Sequence, residues 1–394
     1  MFRQKFLTKT ILLLSFVSLT TDVASEMLYP VMPVYLKSIG FSVLLIGILE
    51  GLAELTAGLS KGYFGQLSDT IGKRVPFVRW GYGLSAVSKP MMALFTFPLW
   101  IFGARTLDRL GKGIRTSARD AILSDESDPE NKGKVFGFHR GMDTLGAAIG
   151  PAAALAFLYY YPEQYKLIFF IAFIPGLIAI LLTFFLREKK AVLTEKIKVP
   201  FLAYFKYWKQ SSGEYRKIVT GLLAFTLINS SDAFLLLMLN TAGYSDVELI
   251  AFYIFYNLCY ALLSFPLGSL ADKIGMKNVL ILGFFVFAIV YFSIGWSGKN
   301  YWLTAIIFAF YAIYAASTEG VSKAWISNIT PKTHTATALG FYNSLASVAA
   351  FLASSLGGLL WNIFNPQTMF TVSAAGALCV AFFFIFVPSQ KKMA

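Results

Sequence analysis

Ten residues, GQLSDTIGKR from Gly65 to Arg74, recur as GSLADKIGMK from Gly268 to Lys277. Gly65, Asp69 and Gly72 of the first copy match Gly268, Asp272 and Gly275 of the second. A repeat at about half the chain length predicts two similar halves, and the period is too long for a solenoid, whose units run to roughly 20 to 50 residues. Each copy lies between two long apolar stretches. It therefore reads as a charged, glycine-punctuated hairpin joining two helices, not as a phosphate loop entered from a β-strand.

The stretches around the hairpins set the class. Of 394 residues, 57% are hydrophobic and 14% charged, against roughly 25% charged in soluble domains. The first apolar run, near 7 to 36, is longer than a signal peptide and holds Asp22 and Glu26, so it reads as a retained helix. Runs follow near 43–64, 76–97, 98–120, 135–160 and 166–186, then 218–240, 246–268, 279–296, 301–325, 335–361 and 368–387. Each can cross about 30 Å of hydrocarbon. The reading is an all-α integral membrane protein of twelve transmembrane helices in two pseudo-symmetric six-helix bundles, 1–187 and 218–394, joined by a polar linker, 188–217.

The net charge of +13 is a topology signal, because the bases cluster in short connections on one side: Arg3, Lys5 and Lys9, Lys73 and Arg74, Lys132 and Lys134, the linker, Lys273 and Lys277, Lys332, and Lys391 and Lys392. Both termini are expected in the cytoplasm, and no nucleic-acid partner is expected. Short loops and the lack of a transit-like leader point to a bacterial inner (plasma) membrane. Cys259 and Cys379 both lie in apolar runs and imply no disulfide. His139 and His334 are too far apart in sequence to indicate zinc. Neither a metal nor a cofactor is expected, and no nucleophile–base pair at recognised spacing points to an enzyme.

Helices 6, 9 and 12 have no charged residue in their interiors, whereas helices 1, 2, 4, 5, 7 and 10 do. Charge at membrane depth survives mainly against a bundle interior or a wet cavity, so the charged helices should surround a polar space. Asp22 and Glu26 share one face of helix 1. Two acids so close are costly to ionise together, which suits proton uptake and release, unless a base on another helix simply neutralises them. Glu50 and Glu54 form a stripe on helix 2. On helix 4, Arg105, Asp108, Arg109 and Lys112 overlap at spacings of three and four. One acid cannot neutralise three bases, so the excess must meet acids of other helices or an anionic solute. Helix 5 carries His139, Arg140 and Asp143, then Gly146, Gly150 and Pro151; the glycines open a groove for another helix and the proline bends the helix.

The second half is poorer in buried charge and richer in polar aromatics. Asn229 and Asp232 on helix 7, Tyr256 and Asn257 on helix 8, Tyr311, Tyr314 and Glu319 on helix 10, and Tyr342 and Asn343 on helix 11 read either as ligand-contacting surface or as interhelical hydrogen bonding and aromatic packing.

The paired hairpins resemble the signature loops of the major facilitator superfamily, and the resemblance covers the whole chain. It implies the major facilitator fold, with helices 1, 4, 7 and 10 lining a central cavity, and gating by the hairpins, where Asp69, Gly72, Lys73 and Arg74 form a cytoplasmic latch. The second copy has Met276 before Lys277 where the family has a basic pair. Arg105 sits where proton antiporters of the family carry a membrane arginine, with Asp108 in place of their glutamine. Gly146, Gly150 and Pro151 resemble the antiporter motif, with Ala153 and Ala154 in place of its paired glycines.

The combined expectation is a monomeric, proton-coupled secondary transporter of a small-molecule substrate, working by alternating access in a lipid bilayer, with export favoured. Asp22, Glu26, Glu50, Glu54, Arg105, Asp108, Arg109, Arg140 and Asp143 are the candidates for proton coupling. Uptake of an anionic metabolite or a siderophore or other metal chelate is the alternative. A channel and a non-transporting sensor remain as readings of another class.

Overall fold

A computed structural model describes residues 7–188 and 199–387, and all regular structure among them is helical. Arg3, Lys5, Lys391, Lys392 and linker residues 189–198 lie outside the described residues. In the first half run α1 (Lys9–Glu26), α2 (Met32–Ser38), α3 (Val43–Ile71), α4 (Val75–Leu94), α5 (Pro98–Asp125), α6 (Lys132–Tyr160) and α7 (Tyr165–Thr183). After a short linker helix, α8 (Tyr207–Gln210), come α9 (Gly213–Thr226), α10 (Ala233–Thr241), α11 (Asp246–Ile274), α12 (Met276–Ile294), α13 (Tyr301–Asn328), α14 (Thr335–Ile363) and α15 (Pro366–Phe386).

Two of the twelve expected helices are broken. Helix 1 is α1 plus α2, and Pro30, which has no N–H to donate, stands in the gap. Helix 7 is α9 plus α10, interrupted over 227–232 by the stretch that holds Asn229 and Asp232. The continuous helices start on side-chain caps. Ser42 accepts from the N–H of Leu45, and Ser245 and Glu248 cap each other reciprocally at the start of α11. Among the described residues seven helices are long and apolar enough to cross a membrane by length and composition alone: α6, α7 and α11 to α15. The others are shortened by the breaks or enriched in the polar residues described below.

The chain forms two compact units. The first comprises Met1–Glu126, Met142–Gln210 and Thr330–Ser344; the second comprises Ser127–Gly141, Ser211–Ile329 and Leu345–Ala394. Each includes the amino-terminal end of a helix that later leaves it, α14 in the first unit and α6 in the second.

Close backbone approach organises the first unit. A Cβ on Gly81 of α4 would lie 2.6 Å from the carbonyl of Gly111 on α5, and one on Gly113 would lie 2.4 Å from the Ser60 side chain on α3. The groove expected at Gly146 and Gly150 is filled by α1: added Cβ atoms would lie 2.5 Å from the Leu19 carbonyl and 2.7 Å from the Met27 nitrogen. Pro151 continues within α6. Away from the hairpin an apolar core closes on Tyr35, whose hydroxyl donates to the Met92 carbonyl at 3.1 Å and whose ring meets Phe169 at 4.9 Å. In the second unit Phe225 of α9 packs on Phe284 and Phe287 of α12, which leads into the tyrosines of the candidate site.

Candidate functional site

The two repeats make the same contact within their own units. At the end of α3, Asp69 accepts from the Thr337 backbone N–H at 2.7 Å and from its hydroxyl at 2.8 Å, in the first turn of α14. At the end of α11, Asp272 accepts from the N–H groups of Gly133 at 2.7 Å and Lys134 at 2.8 Å, in the first turn of α6. A carboxylate placed there satisfies orphan N–H groups and meets the positive end of the helix dipole. Gly65 and Gly268 permit the approach, since added Cβ atoms would lie 2.4 Å from the Ala336 carbonyl and 2.2 Å from the Gly133 carbonyl. Gly72 and Gly275 end their helices at φ of 69° and 98°, conformations that favour glycine.

Beyond this shared contact the copies diverge. Arg74 bonds Asp69 at 3.0 Å, pairs with Asp125 and donates to the carbonyls of Ala121 and Lys332, both at 3.1 Å. Glu188 accepts from the backbone of Arg74 and Val75. Lys73 is exposed. Lys277 turns away from Asp272 and donates to the carbonyls of Ile385 at 2.8 Å and Val387 at 2.5 Å at the end of α15. The second copy thus holds its helix end without a bound arginine.

A charged network fills the space between α3, α4 and α5. Arg105 forks onto Glu50 at 2.8 and 2.7 Å and reaches Asp108 at 3.3 Å. Arg109 lies 3.2 Å from Glu54. Lys89, almost wholly buried on α4, pairs with Asp108 at 3.6 Å and donates to the Ser85 carbonyl. Arg115 bonds the Ser85 hydroxyl at 2.6 Å and lies over the Tyr82 ring at 4.5 Å. Deeper on α5, Arg119 forks onto Asp120, reaches Asp143 of α6 at 4.0 Å and donates to Ser18 of α1 at 3.1 Å; Ser18 itself bonds Asp143. Asp22 lies among Asp143, Glu26 and Lys112.

The second unit holds a ladder of tyrosines. Asp232, at the break in helix 7, accepts from Tyr311 at 2.6 Å, and Asn229 in the same break donates to Tyr314 at 2.8 Å. Tyr311 faces Tyr256 at 4.9 Å between centroids, and Tyr256 faces Tyr260 at 5.9 Å. Arg140 bonds the Tyr260 hydroxyl at 2.7 Å and Glu319 at 2.5 Å. Asn257 is buried and bonds the Tyr253 carbonyl. Tyr342 and Asn343 are half-buried on α14, Tyr342 in the first unit with Asn343 beside it.

Arg140 and Asp143, one turn apart on α6, are thus separated: Arg140 belongs with the tyrosines of the second unit, Asp143 with the acids of the first. Sequence reasoning missed Lys89, Asp120 and Glu188. Lys89 is a single base in an apolar run, so no spacing marks it, although an unexplained lysine at membrane depth is itself a signal.

The family model described as Major Facilitator Superfamily matches residues 14–259 and 243–394. An uncharacterized MFS-type transporter of Methanocaldococcus jannaschii is 34% identical over 97% of this chain and 95% of its own length. The staphyloferrin B transporter of Staphylococcus aureus is 33% identical over 32% of this chain and 30% of its own length. The crystal structure of the human organic anion transporter MFSD10 superposes with a TM-score of 0.79 at 15% identity, covering 95% of this chain and 98% of that one, a likeness of fold.

Proposed function

The chain belongs to the Major Facilitator Superfamily, a transporter and not an enzyme, and from that premise we propose that it couples the passage of a small organic solute to protons by alternating access. The observation that carries this reading is the acidic cluster of Asp22, Glu26 and Asp143 where α1 meets α6, with Ser18 of α1 bonding Asp143 and Gly146 and Gly150 of α6 letting the two backbones close. Acids gathered on neighbouring helices can take up a proton from one side and release it when water access changes to the other. The helices 1–187 and 218–394 act as the two rocking bundles, and the Asp69 and Asp272 helix caps form in one state and release in the other. Asn229, Asp232, Tyr256, Tyr311, Tyr314 and Glu319 contact the solute. The protein works as a monomer in the plasma membrane with both termini in the cytoplasm.

Export is the first reading of direction, supported by the resemblance of Arg105 and of Gly146, Gly150 and Pro151 to antiporter positions. Uptake of an anionic metabolite or metal chelate is the second, supported by the surplus of bases along α5 and by the partial relative that carries staphyloferrin B. Proteoliposomes preloaded with a panel of cationic, neutral and anionic metabolites test the core claim. Saturable counterflow of one class, dependent on a pH gradient in the wild type and independent of it in Asp22→Asn and Glu26→Gln, is the expected result. Flux without counterflow would indicate a channel, and no flux with any class would remove the transporter reading.

A further inference from the structure

Lys112 is the one base of the α5 network, among the described residues, whose head group meets neither a carboxylate within ion-pair distance nor any other side-chain partner. Lys89, Arg105, Arg109 and Arg119 each bind an acid, and Arg115 is held by the Ser85 hydroxyl and the Tyr82 ring. Lys112 is exposed, and only its own carbonyl is engaged, by the Thr116 hydroxyl at 2.6 Å.

Its place in the helix makes this informative. Residues 98–111 of α5 precede it and 113–125 follow, so it stands at mid-helix, where an unpaired ammonium facing lipid is costly. It does not face lipid. It continues the stripe of Arg105 and Arg109 at steps of four and three, the stripe that meets Glu50 and Glu54 of α3. Its electrostatic neighbours are Asp22 of α1 and Glu54 of α3. Glu54 is already taken by Arg109, and Asp22 lies beside Asp143 and Glu26. The ammonium therefore lies on the face of α5 turned to α3, near the acids of α1, and among the described residues it makes no hydrogen bond or ion pair. Lysine suits such a post, being a compact charge with three rotatable donors on a flexible stem.

We propose that Lys112 is the anchor for an oxyanion, a carboxylate in the first instance, on the transported solute. The proposal rests on the transporter reading and deepens it by naming the charge of the substrate; it holds for either direction. Arg105 and Arg109 are held by Glu50 and Glu54 and cannot serve without breaking a pair. Lys112 can bind an anion and break none.

The test uses full-length protein in detergent and in proteoliposomes, with acetate, succinate and citrate as anionic probes and methyl viologen as a cationic one. The expected result is a rise in melting temperature of several degrees with at least one carboxylate, lost in Lys112→Gln, retained in Lys112→Arg, with unliganded melting of all three proteins alike. The stabilising anion should exchange across wild-type vesicles at least tenfold faster than across Lys112→Gln vesicles. No stabilisation by any carboxylate, equal stabilisation of Lys112→Gln, or stabilisation by methyl viologen that Lys112→Gln strengthens would overturn the proposal. Solute exchange that survives Lys112→Gln would overturn the anchor and leave the transporter reading standing. Lys112-dependent binding with no exchange would do the reverse.

Discussion

Asp69 receives two hydrogen bonds from Thr337, one from its N–H at 2.7 Å and one from its hydroxyl at 2.8 Å, while Arg74 holds the other carboxylate oxygen at 3.0 Å. In the second repeat Asp272 receives two backbone N–H bonds, and Lys277 is spent on the end of α15. One hairpin is tied by charge and by helix capping, the other by capping alone. Arg74→Ala should therefore destabilise the protein by about 3 kcal/mol, the usual scale for removing one partner of a largely buried pair, whereas Lys277→Ala should cost about 1 kcal/mol, the scale of net hydrogen bonds. Chemical or thermal unfolding of the two variants in the same detergent checks the ranking.

Lys89 and Asp108 make a second asymmetric case, because Asp108 also has Arg105. Lys89→Met strips a buried carboxylate of one base and should cost about 3 kcal/mol. Asp108→Asn alone leaves Lys89 buried without its acid. A double-mutant cycle in thermal stability should return a coupling of about 1 to 3 kcal/mol, and additive losses would show that the pair is not a unit.

The linker segment after residue 199 packs as an aromatic wedge in the first unit. Tyr204 is wholly buried, its hydroxyl shares a hydrogen bond of 2.9 Å with Ser344, and a Cβ on Gly62 would lie 2.4 Å from its ring. Trp208 stacks on Phe341. Gly62→Ala should lower stability by about 1 to 3 kcal/mol through overpacking, and Tyr204→Ala added to it should give less than the sum of the two single losses. Additive melting shifts would show that the two positions do not touch.

How much of this is legible in the sequence depends on the range of the signal. Local patterns revealed the helices, the repeat and the stripe of bases on α5, because periodicity and glycine spacing act within one element. The groove at Gly146 and Gly150 was likewise readable, though not the identity of α1 as its occupant. Partnerships between helices were out of reach. Asp108 offered three bases on its own helix, and the structure gives it Arg105 together with Lys89, one helix earlier. Arg140 and Asp143 look like one stripe, yet serve different units. The break that presents Asn229 and Asp232 carries no proline or glycine; its local mark is the run Asn229, Ser230, Ser231 and Asp232, four turn-forming residues in an apolar stretch.

Gly65→Ala and Gly268→Ala offer a matched comparison of the two repeats. Their added methyl groups would meet the backbone carbonyls of Ala336 and Gly133, which cannot swing aside as a side chain can. Each should slow solute exchange in vesicles at least tenfold by blocking the approach of Asp69 or Asp272 to its helix end. Exchange at wild-type rates in both would separate these close contacts from gating.

The most direct measurement of proton coupling is the solute gradient at which net flux reverses, read in proteoliposomes at several imposed pH gradients with a solute found by counterflow. If Asp22, Glu26 and Asp143 share the transported proton, that reversal point moves with the pH gradient in the wild type and stays where the solute's own gradient vanishes in Asp22→Asn. A reversal point indifferent to pH in the wild type would contradict the account.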